Sequence, residues 1–488
     1  MLQQLEDIDT ILHDVSPRID RQRKSELGQF MTPSNLALFM ANMFASSSMK
    51  ACRLLDAGAG MGALSCAFLN QWRSGFSKFE TVEVTAYEID DALRTCLLQN
   101  LASYGNANLE IFAGDYIELA TAGGLRNRGY THAILNPPYK KINSKSAQRL
   151  ALRSVGIETV NLYSAFVALA LAEVSIGGQV VAIIPRSFCN GPYYRPFRDF
   201  ILERAAIRHI HLFNSRNKAF KDDNVLQENV IVRLERGGTQ GSVTVSTSTD
   251  DTFDDLVTNE HPFDRIVFPD DPERFIHVPT TTEKSASELS PVLNHYLSDL
   301  EISVSTGPVV DFRLKEQLCD LPEDGTVPLL YPIHMSAHRT VWPVPNSKKP
   351  NAILRNPLTE KWLYPSGFYC IVRRFSSKEE KRRITASFVD PAGFGDHTAF
   401  GFENHLNLFH EKKRGLPELL ARGLTVFLNS TAVDESFRRF NGHTQVNVTD
   451  LKLLKYPNRK TLTQLGQWAK QHEKITQHMI DEQIKSIM

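Results

Sequence analysis

The chain has 488 residues, of which 42% are hydrophobic, 23% charged and 9% aromatic. That length exceeds what one hydrophobic core usually organises, so two domains are expected, and the ordinary composition excludes collagen-like, largely disordered and membrane-embedded chains. Lys+Arg and Asp+Glu number 55 each, yet residues 1–240 carry 26 basic and 23 acidic side chains, residues 241–300 carry 3 and 12, and residues 301–488 carry 26 and 20, so the positive excess lies in two flanking blocks and a polyanionic partner fits.

At the start of the chain, Met1-Leu2-Gln3-Gln4-Leu5 has no basic stretch leading into an apolar run and does not read as a secretory signal. Short aliphatic runs at 53–57, 82–88, 109–113, 132–136, 179–184, 207–213 and 229–234 predict strands. Helical spacing falls between them, at 63–72, 92–104 and 162–174. This alternation predicts an α/β domain: a parallel sheet covered on both faces, with ligands at the carboxyl ends of the strands. The pattern stops at Gly237-Gly238. A stretch rich in Ser, Thr, Asp and Pro follows, and residues 239–290 read as an acidic linker. Residues 291–488 have irregular spacing and many aromatics and predict a mixed α+β domain, with helices at 416–430 and 462–487. The six cysteines are nowhere closer than 14 residues, which gives no CxxC metal knuckle and reads as reduced thiols of a cytoplasmic protein.

The run Leu54-Leu55-Asp56-Ala57-Gly58-Ala59-Gly60-Met61-Gly62 sits where the first strand gives way to a helix. Glycines there let the backbone turn tightly and approach a ligand closely. The pattern is GxGxG preceded by an acid. It is neither the GxGxxG of dinucleotide binders nor a P-loop, since no Lys follows. Glu88 ends the second strand, where an acid can take ribose hydroxyls. Asp115 ends the third, where a carboxylate can accept from an adenine amino group. Each acid alone is equally a helix cap. Three of them, Asp56, Glu88 and Asp115, ending three successive strands point to an adenosyl cofactor.

The fourth strand ends in Asn136-Pro137-Pro138-Tyr139. Prolines continue neither a ladder nor a helix, so their carbonyls stay free as acceptors on a rigid turn. The Asn136 amide oxygen and the Pro137 carbonyl can both accept from one planar amino group, drawing its nitrogen towards a tetrahedral, more nucleophilic state. Tyr139 supplies a flat surface on which a planar base can stack.

With this tetrapeptide the chain resembles the S-adenosylmethionine-dependent amino-methyltransferases, whose (N/D/S)-P-P-(Y/F/W) loop binds the target nitrogen. More narrowly it resembles the gamma-group adenine-N6 DNA methyltransferases of bacterial restriction–modification systems. There, a motif lies upstream of the glycine turn and the target-recognition domain follows the catalytic one. Gly28-Gln29-Phe30-Met31-Thr32-Pro33 matches the upstream motif. The resemblance implies a class I methyltransferase fold, Rossmann-like with a mostly parallel seven-stranded sheet, over residues 1–238. It makes 291–488 the target-recognition domain, with S-adenosylmethionine as cofactor and no metal. It implies that Thr32 contacts the methionine part of the cofactor, that Asp56, Gly58 and Gly60 line the methionine pocket, and that Glu88 holds the ribose and Asp115 the adenine. It makes Asn136, Pro137, Pro138 and Tyr139 catalytic and implies that Phe220 packs against the extruded base. Asp56 and Glu88 stand 32 residues apart, against roughly 20 in related turns, which predicts an extended connection around 71–80.

In the second half, residues 373–383 hold six basic side chains against two acidic. Arg373, Arg374, Lys381, Arg382 and Arg383, with Lys412, Lys413 and Arg414, are candidates to neutralise phosphates; any one cluster reads equally as a solvated face. The loops at 441–447 and at Asn404-His405 hold side chains suited to base edges, and the first reads equally as turn chemistry. The resemblance implies double-stranded DNA as partner and leaves room for a cognate restriction endonuclease; the adenine amino group is buried in the stack, so the target base has to be flipped, and a monomer fits because a hemimethylated site needs one modification per visit. Other readings stay open. An RNA adenine or protein-glutamine methyltransferase uses the same tetrapeptide, and a cytosine-N4 enzyme more usually has Ser at the place of Asn136. A DNA-binding specificity module or nuclease with an inactive methyltransferase domain is the reading from another class, although no PD…ExK or HNH-like pattern is present.

Overall fold

The computed structural model describes residues 32–125, 128–214, 228–283, 288 and 290–488. The chain divides into two compact units, Met1–Thr282 and Glu283–Met488.

In the first unit, α1 (Ser34–Asn42) precedes β1 (Ala51–Ala57), α2 (Ala63–Arg73), β2 (Thr81–Glu88), α3 (Asp91–Ala102), β3 (Asn108–Ala113), α4 (Tyr116–Thr121) and β4 (Tyr130–Leu135). Then come α5 (Ala147–Ser154), α6 (Leu162–Glu173), β5 (Val174–Pro185), α7 (Arg195–Arg204), β6 (Ala205–Phe213), β7 (Asn229–Arg236), β8 (Val243–Ser248) and β9 (Val257–His261). The strands form one sheet in the order β3-β2-β1-β4-β5-β7-β6-β8-β9. β1 to β5 are parallel to one another, β7 runs against β5 and β6, and β9 runs against β8. The segment from β3 to β6 is the class I methyltransferase sheet expected from the sequence, and two further strands extend it.

Helices on both faces leave the central strands no water-facing side, which is why they read as unbroken apolar runs. Ala133, Ile134 and Leu135 on β4 and Val180 to Ile184 on β5 are all fully buried. α6 is apolar on every side and buried from Tyr163 to Glu173, the pattern of a helix enclosed by its neighbours. Its last residue, Glu173, is tolerated there because the Tyr116 hydroxyl donates to it at 2.6 Å and Arg128 pairs with it at 2.9 Å. The strand order reverses between β1 and β4, and such a reversal opens a crevice at the carboxyl edge.

The expectation of a linker over 239–290 is corrected here. β8 lies parallel to β6 and pairs through β9 to the sheet edge, and Val243 and Val245 join the core of the unit. The Ser246 hydroxyl sits 2.7 Å from His209 Nε2 and 2.8 Å from His211 Nδ1 on β6.

In the second unit one sheet of six strands is centred on Tyr369–Arg373 and Ala386–Val389, and another of five on Thr326–Leu330. Helices α8 (Glu418–Leu428), α9 (Thr431–Phe440), α10 (Val448–Leu453), α11 (Arg459–Lys470) and α12 (Gln477–Ile487) follow. The stretch 462–487, expected as one helix, is thus two. α8 and α11 touch backbone to backbone. A Cβ at Gly423 would fall 1.8 Å from the Leu462 carbonyl oxygen, and one at Gly466 would fall 1.7 Å from that of Leu419. No described helix is long and apolar enough to cross a membrane.

Candidate active site

The site is assembled from the ends of four strands. Beyond β1 the amides of Gly58 and Ala59 both donate to the Tyr87 carbonyl at 2.9 Å, which pins the turn against β2. Gly62 caps α2 at φ +87°, and a Cβ there would lie 2.6 Å from Leu97 Cδ1, so this position requires glycine. The long route from Asp56 to Glu88 is taken up by α2 and the loop 74–80. Glu88 nevertheless comes back to the turn: Gly60 N donates to its Oε2 at 2.8 Å and Asp90 N to its Oε1 at 2.8 Å. Burial raises its carboxyl above the usual range. Asp115 accepts from Ile117 N at 2.7 Å, capping α4, and its other oxygen accepts from the Gln148 amide on α5. The cap reading thus holds for one oxygen, and the other is engaged by Gln148.

A cavity of about 350 Å³ opens at this edge, and its wall brings together Gly58, Gly60, Glu88, Asp115, Asn136 and Pro138. Lys140, Lys141, Gln148 and Phe166 also line it, and the sequence reading named none of these four. Gln148 and Phe166 carry no motif and reach the wall only because α5 and α6 fold over it. The two lysines directly follow the tetrapeptide, and that adjacency was the signal for them.

Asn136 is buried, and its Nδ2 donates to Thr32 Oγ1 at 2.9 Å. This bond ties the tetrapeptide to Thr32, just ahead of α1. The Tyr139 hydroxyl reaches Asn136 Oδ1 and the Ile183 carbonyl at 3.4 Å each, and its ring meets Tyr163 edge-on, 6.2 Å between centroids. Burial raises the phenol of Tyr139. Among the described residues, Thr32, Asp56, Pro137 and Tyr139 are not part of the cavity wall. For Asp56 this is a correction. Its carboxylate is wholly buried behind the turn, where Ser65 Oγ donates to it at 2.6 Å, and burial pushes its pKa up to about 7. Thr32 is also met in a different place: its hydroxyl engages Asn136. Phe220 and residues 28–31 of the upstream motif lie outside the described residues.

Residues 61–220 match the family model of the Eco57I restriction-modification methylase. The chain is 49% identical to the Type II methyltransferase M.BsuBI of Bacillus subtilis, over 100% of this chain and 99% of that one. It is 43% identical to the Type II methyltransferase M.PstI of Providencia stuartii, over 94% and 92% respectively. The chain belongs to the Type II methyltransferase family. Among solved structures, the cryo-EM DrdV–DNA complex has a similar fold, with a TM-score of 0.51 at 12% identity over 94% of this chain and 58% of that one. S-adenosylmethionine is the cofactor of this methyltransferase, and the wall fits it. The lining holds two carboxylates, Glu88 and Asp115, the acceptor type that ribose hydroxyls and an adenine amino group need, and Ile89, Leu93, Leu162 and Phe166 add an apolar side suited to a flat ring.

The basic candidates of the methyltransferase divide once their surroundings are known. Arg383 is 1% exposed: its backbone N donates to Asp434, its Nε to Ser376 and its guanidinium to Asn441. It therefore belongs to the core of the second unit, which corrects its assignment to a DNA surface. Arg373 pairs with Glu380, and Arg382 donates to Thr431 Oγ1 at 2.8 Å. Asn441 and Asn447 both bond Asp450, so much of the 441–447 loop is turn and cap chemistry. Lys381, Lys412, Lys413 and Arg414 are exposed. Arg374 is half-buried and donates to the Asn404 carbonyl at 3.1 Å.

Proposed function

We infer that the protein is a site-specific DNA methyltransferase that transfers a methyl group from S-adenosylmethionine to the N6 amino group of an adenine flipped out of double-stranded DNA. The observation that carries this reading is a single cavity. Asn136, bonded through its amide to Thr32, shares a wall with Gly58, Gly60, Glu88 and Asp115.

In this reading Gly58 and Gly60 hold the methionine part of the cofactor, Glu88 the ribose and Asp115 the adenine. Bound there, the cofactor supplies an electrophilic methyl group on a sulfonium, a good leaving group. The Asn136 amide oxygen and the Pro137 carbonyl accept the two N6 hydrogens and turn the nitrogen lone pair out of the ring plane. Pro138 keeps the turn rigid. Tyr139 and Phe220 flank the extruded ring. Nothing in this scheme needs a covalent enzyme intermediate; its rate comes from holding two groups in line. Lys381, Lys412, Lys413 and Arg414 supply phosphate contacts, and residues 291–488 act as the target-recognition domain. A cognate restriction endonuclease blocked by the modification, action as a monomer and a cytoplasmic location complete the reading. The match to restriction–modification methylases supports the first, and the single modification needed at a hemimethylated site supports the second.

The test is to incubate the protein with cofactor carrying a labelled methyl group and, separately, duplex DNA, RNA and protein. Label is expected in DNA, recovered as N6-methyladenine. Label recovered only in RNA or in glutamine would overturn the assignment.

A further inference from the structure

We propose that Arg374, Phe375, His405 and Gln445 form a surface of the second unit that reads base edges in the major groove and so sets which sequence is methylated. The proposal rests on the DNA reading above and goes beyond it by naming the reading residues.

Three loops converge to build this surface, and backbone hydrogen bonds lock them together. Arg374 N donates to the His405 carbonyl at 2.8 Å, Val446 N to the Arg374 carbonyl at 2.7 Å and Ser376 N to the Thr444 carbonyl at 3.0 Å. Beneath them, Asn407 is fully buried and donates to the Val446 carbonyl at 2.7 Å. The platform is therefore rigid, which a base-reading side chain needs if discrimination is not to be lost to its own freedom.

The side chains on the platform are held yet not used up. Phe375 is 38% exposed. It is flanked by the His405 ring at 4.8 Å between centroids and by the Arg374 guanidinium at 5.6 Å. Glu403, fully buried, accepts from His405 Nδ1. That bond turns Nε2 of the half-exposed imidazole outward, as a carboxylate does for a working histidine. Arg374 donates to the Asn404 carbonyl at 3.1 Å and to Gln445 Oε1 at 3.4 Å.

The neighbouring arginines show what a purely structural role looks like here: Arg373 pairs with Glu380, Arg438 with Asp434 and Arg439 with Glu288. Among the described residues no carboxylate pairs with Arg374. A preset guanidinium fork, an imidazole edge and an amide, grouped round an exposed ring, match the major-groove code. Arginine suits guanine O6 and N7, the imidazole and amide suit exocyclic amines and ring nitrogens, and the ring suits a thymine methyl.

The experiment uses the full chain, a pool of duplexes randomised around the modified adenine, and sequencing that detects N6-methyladenine. Arg374→Ala is expected to lose discrimination at one guanine-containing base pair by between about 5- and 150-fold, with the other positions retained. Arg374→Lys keeps the charge and loses the fork, so it should lose as much discrimination while keeping overall affinity. It also keeps the test decisive should the alanine variant fail to fold. His405→Ala is expected to relax a different base pair. Unchanged discrimination in these variants, or a loss spread evenly over all sequences, would overturn the proposal. If the wild-type protein methylates no duplex in the pool, the DNA reading itself falls, and the two failures are thereby told apart.

Discussion

At the residue scale the controlling feature is the orientation of one amide. An asparagine at the end of a strand can present nitrogen or oxygen to a ligand, and only oxygen can accept from an amino group. Asn136 Nδ2 donates to Thr32 Oγ1 at 2.9 Å, the arrangement that leaves Oδ1 as the other end of the amide. In the proposed mechanism Asn136→Ala removes an acceptor for the reacting nitrogen, and single groups of that kind are worth about 100- to 1000-fold in rate. The expected result is that methyl transfer falls by at least about 100-fold, while calorimetric titration finds cofactor affinity nearly unchanged. Near-normal turnover would refute the assigned mechanism. Thr32→Ala should lower the single-turnover rate by about 5- to 10-fold, the value of one lost hydrogen bond, and Thr32→Ser should restore it. If Thr32→Ala instead weakens cofactor binding and leaves the single-turnover rate alone, Thr32 serves the methionine part, as the upstream motif implied.

At the scale of elements, the pairing of β6 with β8 has a measurable consequence. His209 and His211 share the Ser246 hydroxyl. Burial pushes their pKa values down to about 4 and about 3 respectively. Both are neutral in the folded chain, whereas the unfolded chain protonates them below about 6.5. Their contribution to stability is therefore complete above pH 6.5 and is lost as pH falls towards 4, at up to about 1.4 kcal/mol per pH unit for each. Asp56, raised to about 7, works in the opposite direction between pH 4 and 7, so the histidine effect is best read by difference. In His211→Gln the dependence of urea stability on pH between 6.5 and 5 should flatten by close to one proton, and an unchanged slope would show that His211 is not held neutral. The α8–α11 contact gives a second handle. Gly466→Ala drives a methyl group against the Leu419 carbonyl, and overpacking of this kind costs about 1–3 kcal/mol. A lowered urea midpoint is expected, and an unmoved one would mean that the two helices separate freely.

The same elements show what the sequence could and could not disclose. β1, β2 and β4 to β7 were legible because buried strands must be short apolar runs, each closed by a turn signal, and β3, exposed at the sheet edge, was legible from its aliphatic run ahead of Gly114-Asp115. β8 and β9 were not, because Val243–Ser248, mixing Val with Thr and Ser and followed by Asp250-Asp251, and the polar Val257–His261 have the composition of a loop. The meeting of Glu88, Asp115 and Asn136 on one wall was legible because fold topology fixes where strand ends go. Gln148 against Asp115 and Thr32 against Asn136 join residues 33 and 104 positions apart, and no local spacing marks such a pair.

For the whole molecule, net charge conceals which cations are available to a polyanion. The segment 301–488 holds 26 basic against 20 acidic side chains, yet Arg373, Arg438, Arg439 and Arg459 are each within 4 Å of a carboxylate. Arg383 is bonded into the core. The exposed turn at Lys412-Lys413-Arg414 is different. Both lysines adopt positive φ, 48° and 64°, a conformation that costs energy in side chains other than glycine. Glu411 and Arg414 close the turn by two backbone hydrogen bonds, at 3.0 and 2.7 Å, and hold three cations outward. If these neutralise phosphates, binding releases one counterion per contact, and log affinity falls with log salt by about 0.9 per contact. Replacing all three by alanine should therefore weaken binding to every duplex sequence alike at low salt and reduce the salt slope by about 2 to 3. Arg383→Ala should behave differently, lowering the unfolding midpoint and leaving the salt slope of the folded fraction intact. Titrations at four or five salt concentrations separate the two. A triple variant with the slope of the wild-type protein would remove this turn from the DNA surface.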